Sequence, residues 1–495
     1  MNHNSGGFIT RMFSMAWPAR RRYAEVFSLH FFQFVCISFS DQLRHGSEFI
    51  RSQFLRCHRK LSLQPFDCIA KAPIGVILDH KSLLFRQFRF PEAASDQLFQ
   101  VLHIIVLFER IPSLIVEHQT LKLDAVSGAT FSSNAVKNAV KAALEEAGLS
   151  PDDYQEPITY TGEDQALSTD IVIVGAGGSG LSAAIEAAQA GKSVLVVESN
   201  AYAGGATLYC GGMVMYAPTE EEAKEFGSLD ASALHQGMKE NASEYFNDEL
   251  SMDYLNHSLE NLQWLKSFYA GDDLIDSHDP GYVPLASENG EAAHTLAITI
   301  RPNGEEQFVN TWIVDSLLKA AEDAGASFLY ETTADQLLTD ESGKVCGVHA
   351  TDVYGNTYEI AAEKVILACG GFGGNYAMLK EHCDMERPFY LGPTSNKGWG
   401  IEAGTSVGAK TGYATLPDLP GYDSMVYGTV GGLIVNENAE VLKEDDTVIE
   451  NLYAVGELTC VQVLDTVHFS AGENSSWNLY SGRIAGQAAA ASLEK

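Results

Sequence analysis

Apolar residues at Val136, Val140 and Leu144 recur every four positions. They predict a helix with Ser132 or Ser133 as its cap and Gly148 at its end. Leu255, Leu259, Leu262 and Leu265 share one side of a longer helical stretch, 229–270, and Trp312, Ile313, Leu317 and Leu318 mark an amphipathic helix over 308–324. "DIVIVGAGGSGLSAAIEAAQAGKSVLVVES" reads as strand, glycine turn, helix, strand. "KVCGVHATDVYGNTYEIAAEKVILACGG" reads as a hairpin turning at Gly355-Asn356, then a buried strand. "GGLIVNENAEVL" and "NLYAVGE" are further strands, and an Ala-rich helix follows Ser475. Residues 149–168 are acidic and polar with two prolines, and read as a linker.

A chain of 495 residues accommodates several domains. Its formal charge of −33 predicts a poor nucleic-acid binder, and no nucleic-acid partner is expected. The charge is uneven. Residues 1–112 carry 11 Arg and 3 Lys against 8 acids, and the remainder carries 3 Arg and 15 Lys against 57 acids. The first 112 residues also hold 15 of the 24 Phe and 4 of the 44 Gly. Such an inversion of Arg/Lys usage predicts that most of 1–112 is not native to this fold, the alternative being a basic, Phe-rich domain. Arg20-Arg21-Arg22 and the apolar stretch after Glu25 imitate a signal peptide, but His30 and Gln33 interrupt it and no small-x-small site follows. No apolar run reaches membrane-spanning length. The eight cysteines form no C-x-x-C pair, so no zinc, c-haem or disulfide pattern is legible.

Gly175, Gly177 and Gly180 form G-x-G-x-x-G between a strand and a helix. The first allows the tight turn, the second lets a diphosphate approach the backbone, and the third lets helix and strand pack closely. Glu198 ends the next strand, where an acid accepts ribose hydroxyls. The Gly-Gly turns in "SNAYAGGATLYCGG" suit a flavin nucleotide lying along the backbone.

With these pieces, "AGGAT", "KVILACGGFGGN", "GIEAGTSVGAKTG", "GGLIVNENAEV", "IENLYAVGE" and "SGRIAGQAAA", the chain over 169–495 resembles the FAD-dependent fumarate reductase and succinate dehydrogenase flavoprotein family, in its soluble enoate-reductase branch. The resemblance implies an α/β fold: a Rossmann-like FAD-binding domain interrupted by a mainly helical cap at about 209–325. It places Gly204, Gly205, Gly371 and Glu457 along the FAD, with Glu457 near its ribityl or ribose hydroxyls. Plain turn geometry is the alternative for Gly205 and Gly371.

The stretch "DAVSGAT" then matches the attachment motif of the FMN-binding domain that often precedes the FAD domain in this branch. The resemblance implies a partial α+β FMN-binding domain over 113–148, with FMN linked covalently to Thr130 by a flavin transferase. Taken alone, the string is an ordinary helix-entry turn.

The resemblance also implies reduction of a small unsaturated carboxylate by hydride from the flavin, with arginine and histidine holding the carboxylate and an arginine donating the proton. Beyond residue 112 the only arginines are Arg301, Arg387 and Arg483. Arg301 stands where the family binds carboxylate, and His468 stands where relatives carry a residue near the flavin ring. His294 and Arg387 read as loop residues, and Arg483 as structural. The cap segment that brings the proton donor in relatives is missing between Gly412 and Gly431, where Tyr427 lies, so the chain is expected to bind FAD and turn over slowly. No metal is implied. The resemblance adds an upstream electron donor and an extracytoplasmic or membrane-associated location. Three readings stay open: an enoate reductase, an FAD-binding electron carrier, and a ketosteroid-type dehydrogenase that could use Tyr427 or Tyr480.

Overall fold

The computed structural model describes residues 111, 114–115, 118–123, 130–158, 160–210, 212–226, 229–270, 274–277, 298–302, 312–384, 389–390, 392–414, 425–426, 428–464 and 472–494. They fall into two units, Met1–Thr159 and Tyr160–Lys495.

In the first unit, helix α1 (Thr130–Glu146) begins ahead of Ser132 and Ser133, so neither serine caps it. Val136 and Leu144 bury against Leu121, Leu123, Leu114 and Ile111. Ile111 is fully buried although it lies upstream of the break in composition. The stretch read as a linker has structure of its own. Pro151–Tyr154 forms a 3-10 turn, Leu121 N–H donates to Tyr154 O at 2.7 Å, and Asp164 already opens the first strand of the second unit.

That unit runs β1 (Asp164–Val174), α2 (Gly178–Gln189), β2 (Val194–Val197), β3 (Val214–Tyr216), α3 (Glu220–Phe226), α4 (Ala231–Glu240), α5 (Asp248–Lys266), β4 (Leu274–Ser277), β5 (Ile298–Pro302), α6 (Trp312–Asp323), β6 (Ser327–Leu329), β7 (Thr332–Thr339), β8 (Val345–Asp352) and β9 (Thr357–Leu367). It continues through α7 (Tyr376–Cys383), β10 (Phe389–Tyr390), α8 (Trp399–Ser406), β11 (Thr411–Tyr413), β12 (Met425–Val426), β13 (Gly431–Leu433), β14 (Glu440–Leu442), β15 (Val448–Ala454) and α9 (Glu473–Ser492).

The main sheet is ordered β14-β15-β9-β1-β2-β6, with β7 and β8 continuing from β9. β15, β9, β1, β2 and β6 pair in parallel. Ile171, Val172 and Ile173 are fully buried because the parallel sheet is covered on both faces. Burial of each such side chain contributes about 1.5–3 kcal/mol. β9 is long enough to serve two partners along one edge, β8 at Thr357–Ala361 and β15 at Val365–Leu367. The hairpin turns where expected, with Gly355 at φ 81°.

α9 lies on α2 through glycine. A Cβ at Gly482 would stand 2.2 Å from Ser179 O, and one at Gly486 would stand 2.5 Å from Ala183 O. The cap region is helical but also carries the antiparallel sheet β3-β5-β4. The 229–270 stretch is two helices rather than one. Asn241 ends α4, and Asn247 Oδ1 caps α5 by accepting from the N–H groups of Glu249 and Leu250, both at 3.1 Å. Where the larger cap was missed in the sequence, β11 and β13 pair directly, Gly412 opposite Gly432.

Candidate functional site

The three motif glycines have three different reasons to be glycine. Gly175 has φ 106°, and a Cβ there would lie 2.5 Å from Ala368 O. A Cβ at Gly180 would lie 1.9 Å from Gly175 O, so the third glycine lets α2 rise directly from the strand end. Gly177 is different: its φ is −75°, and a Cβ there would meet nothing nearer than Gly204 O, at 3.8 Å. The space in front of it is open. Gly177 is bridged to Gly204, and Gly204 N–H donates to Ala176 O at 2.8 Å. Gly204 and Gly205 have φ 138° and 49°, so both serve the turn. Gly177 caps α2 without a side chain, and Gly178 N–H donates to Thr207 Oγ1 at 3.0 Å. A glycine-lined cradle at a helix N-terminus accepts a diphosphate.

Two buried carboxylates, Glu198 and Glu457, are candidates to accompany this cradle. Glu198, 4% exposed, directly follows β2. It accepts the Ala176 N–H at 2.8 Å, and the Asn200 N–H and Nδ2 at 2.8 and 2.9 Å. Glu457 is 5% exposed and follows Gly456, whose φ is 74°. Its Oε1 accepts the N–H and the Oγ1 hydroxyl of Thr429, both at 2.8 Å. Burial raises both carboxyls above their ordinary range, and these donors oppose the shift. Gly371 is glycine for close approach rather than for a turn. A Cβ there would stand 2.1 Å from Thr429 Oγ1 and 2.3 Å from Glu457 Oε1.

FAD fits these residues. Asn474 Oδ1 and Asn478 Oδ1 on α9 are buried and lack hydrogen-bond partners among the described residues. A Cβ at Gly428 would lie 3.4 Å from Asn474 Nδ2 and 3.5 Å from Glu457 Oε1. One at Gly456 would lie 3.2 Å from Asn478 Oδ1 and 2.6 Å from Ser179 Oγ. Glu198 and Glu457 offer acceptors for sugar or ribityl hydroxyls, the open Gly177 admits a diphosphate, and the partnerless Oδ1 atoms of Asn474 and Asn478 offer further polar contacts. The sequence reading missed Asn200, Thr429, Tyr390, Asn396, Asn474 and Asn478. Tyr390 lies on the two-residue strand β10 and the others in loops or on a helix face, where no periodicity or motif marks them.

Of the residues expected to meet substrate, Arg301 is placed by its backbone on β5, opposite Ile275 of β4. Its neighbour Ile300 pairs with Val214 of β3, and Met215 N–H donates to Gly472 O at 3.2 Å. Arg301 therefore belongs to a sheet that abuts the start of α9. His468, His294, Arg387 and Tyr427 lie outside the described residues. Arg483 is structural. It pairs with Glu186 at 3.0 Å and Glu260 at 3.3 Å, and lies 4.9 Å over the Trp264 ring. The Tyr480 hydroxyl is committed to Asp253. Thr130 opens α1, while Asp124–Ala129 lie outside the described residues. No helix among the described residues is long and apolar enough to cross a membrane.

Two family descriptions match the chain: an FAD binding domain over residues 170–420 and 423–468, and an FMN-binding domain over 91–145. FAD and FMN are the cofactors these domains indicate. The chain is 32% identical over 278 residues to a urocanate reductase of Eggerthella lenta, covering 55% of this chain and 43% of that protein. It is 30% identical over 388 residues to an NADH:acrylate oxidoreductase of Vibrio harveyi, covering 66% and 38%. It thus spans less than half the length of either relative. A 3-ketosteroid-Δ4-(5α)-dehydrogenase from Rhodococcus jostii superposes with a TM-score of 0.54 at 19% identity, over 66% of this chain and 97% of that one, which speaks to the fold alone.

Proposed function

This chain belongs to the FAD binding domain family, and from that premise we propose that it is a flavin-dependent oxidoreductase reducing the C=C bond of a small α,β-unsaturated carboxylate. The observation that carries the reading is the glycine cradle, open at Gly177, together with the buried Glu198 and Glu457, in a chain 32% identical to a urocanate reductase over 278 residues. FAD, when bound, supplies the hydride for the β-carbon. The chain's residues do the rest. Gly177 admits the diphosphate, Glu198 and Glu457 hold hydroxyls, and Arg301 holds the substrate carboxylate through paired N–H donors. His468 is the second group at the substrate end. Thr130 is the point of FMN attachment by a flavin transferase, for electrons arriving from an upstream donor.

A second reading has an observation of its own. The direct pairing of Gly412 with Gly432 leaves a short connection where the resemblance implies a cap with a proton-donating arginine. An FAD-binding electron carrier needs no such donor. Reoxidation of the reduced flavin by urocanate, acrylate or fumarate, with the saturated acid identified by mass, separates the two: an electron carrier yields no saturated acid.

A further inference from the structure

Between α7 and α8, β10 and residues 392–398 place two polar side chains, Tyr390 and Asn396, beside the glycine turn that follows β9. Asn396 is 6% exposed. Its amide lies against Gly370, where a Cβ would meet Asn396 Nδ2 at 2.7 Å and Oδ1 at 2.9 Å. The loop is fixed there by backbone: Gly374 N–H donates to Asn396 O at 2.7 Å, and Gly398 N–H donates to Gly371 O at 3.1 Å. Asn396 Nδ2 donates to the Tyr390 hydroxyl oxygen at 3.0 Å. The Tyr390 side chain fills the space in front of Gly373 and Gly392, where a Cβ would come within 2.3 Å of the ring and 2.2 Å of the hydroxyl oxygen respectively.

The phenol is therefore oriented by a bond it accepts, and among the described residues no acceptor takes its own proton. The same segment reaches Asn200, the partner of Glu198, since Asn200 Nδ2 stands 3.5 Å from Ser395 Oγ. Desolvation, with the charge of Glu457 second, pushes the Tyr390 phenol above its ordinary range. A half-buried hydroxyl whose oxygen accepts a fixed bond and whose proton has no protein acceptor among the described residues is a preset donor.

We infer that Tyr390 is a cofactor-binding residue, donating its phenolic proton to an oxygen of the bound dinucleotide, with Asn396 as the residue that positions it. The inference rests on the FAD reading above. The acceptor is either a diphosphate oxygen or a ribityl–flavin oxygen, and ADP, which carries only the first, distinguishes them.

The experiment measures equilibrium binding of FAD and of ADP to the full chain freed of flavin, for wild type, Tyr390→Phe, Asn396→Ala and the double variant. Tyr390→Phe keeps the ring between Gly373 and Gly392, so its flavin-free melting temperature should match wild type. Its affinity for FAD should fall about 10-fold, the size of one hydrogen bond of about 1.4 kcal/mol. A matching loss for ADP assigns the diphosphate, and a loss for FAD alone assigns the ribityl–flavin part. Asn396→Ala should weaken FAD in the single variant and add little in the Tyr390→Phe background. FAD affinity in Tyr390→Phe equal to wild type overturns the inference. The FAD reading is checked separately by Gly177→Val.

Discussion

Gly177 and Gly204 face each other across an isolated parallel bridge, and the Gly204 carbonyl oxygen is the nearest atom to the place a Gly177 side chain would occupy, 3.8 Å away. Gly177 is the motif glycine that is free to change without disturbing the fold. Its extended φ and ψ of −75° and −178° suit any residue. Gly177→Val is therefore expected to fold with a melting temperature near that of the flavin-free wild type while losing bound flavin. Gly180→Ala should do the reverse, destabilising the protein by about 1–3 kcal/mol through overpacking against Gly175. Visible absorbance and thermal unfolding of the two variants check both outcomes.

Glu457 supplies a pH-dependent contrast. Burial raises its folded carboxyl above 4.5, so the folded state binds this proton more tightly than the unfolded state does. Its ionisation therefore lowers stability as pH rises from about 4.5 through the folded value, and below that window the effect vanishes. Glu457→Gln keeps an acceptor for Thr429 and lacks the charge. Relative to wild type, the flavin-free variant should gain stability between pH 4.5 and neutrality, and its FAD affinity should fall about 10- to 100-fold for a lost charged hydrogen bond. Denaturant titrations across that range test the first, and flavin fluorescence the second.

Thr130 opens α1, so its attachment role is tested by mass. Produced together with a flavin transferase, the full chain should gain the mass of one FMN unit, and Thr130→Ala should not.

Much of the fold was legible because its signals are local. The glycine turn, the acid at the end of β2 and the Gly355 hairpin are each written in a few consecutive residues. The break between α4 and α5 was missed although Asn247 followed by Asp248 and Glu249 is a readable helix start. Leucines spaced through 255–265 carried the helical reading across the whole 229–270 stretch. Gly371 was legible only through family resemblance, and the reason for it is tertiary, because Thr429 and Glu457 arrive from segments far along the chain. Tyr390 and Asn396 were not legible at all. Their pairing depends on how one loop folds back onto the end of β9.

Arg301 bears on substrate rather than on flavin. Arg301→Ala should leave the flavin spectrum unchanged and raise the KM for an unsaturated acid about 10- to 100-fold, as expected for a lost charged hydrogen bond. An unchanged KM removes Arg301 from the carboxylate site.

The proposed reaction is tested most directly by reducing the bound flavin anaerobically and adding urocanate, acrylate or fumarate. The account predicts that at least one of the three reoxidises the flavin faster than a control without acceptor, with one saturated acid formed per flavin. The rate should be modest, because general acid catalysis usually contributes about 100- to 10,000-fold and the connection between Gly412 and Gly431 is short. Flavin that remains reduced with all three acids, as it does in the control, would contradict it.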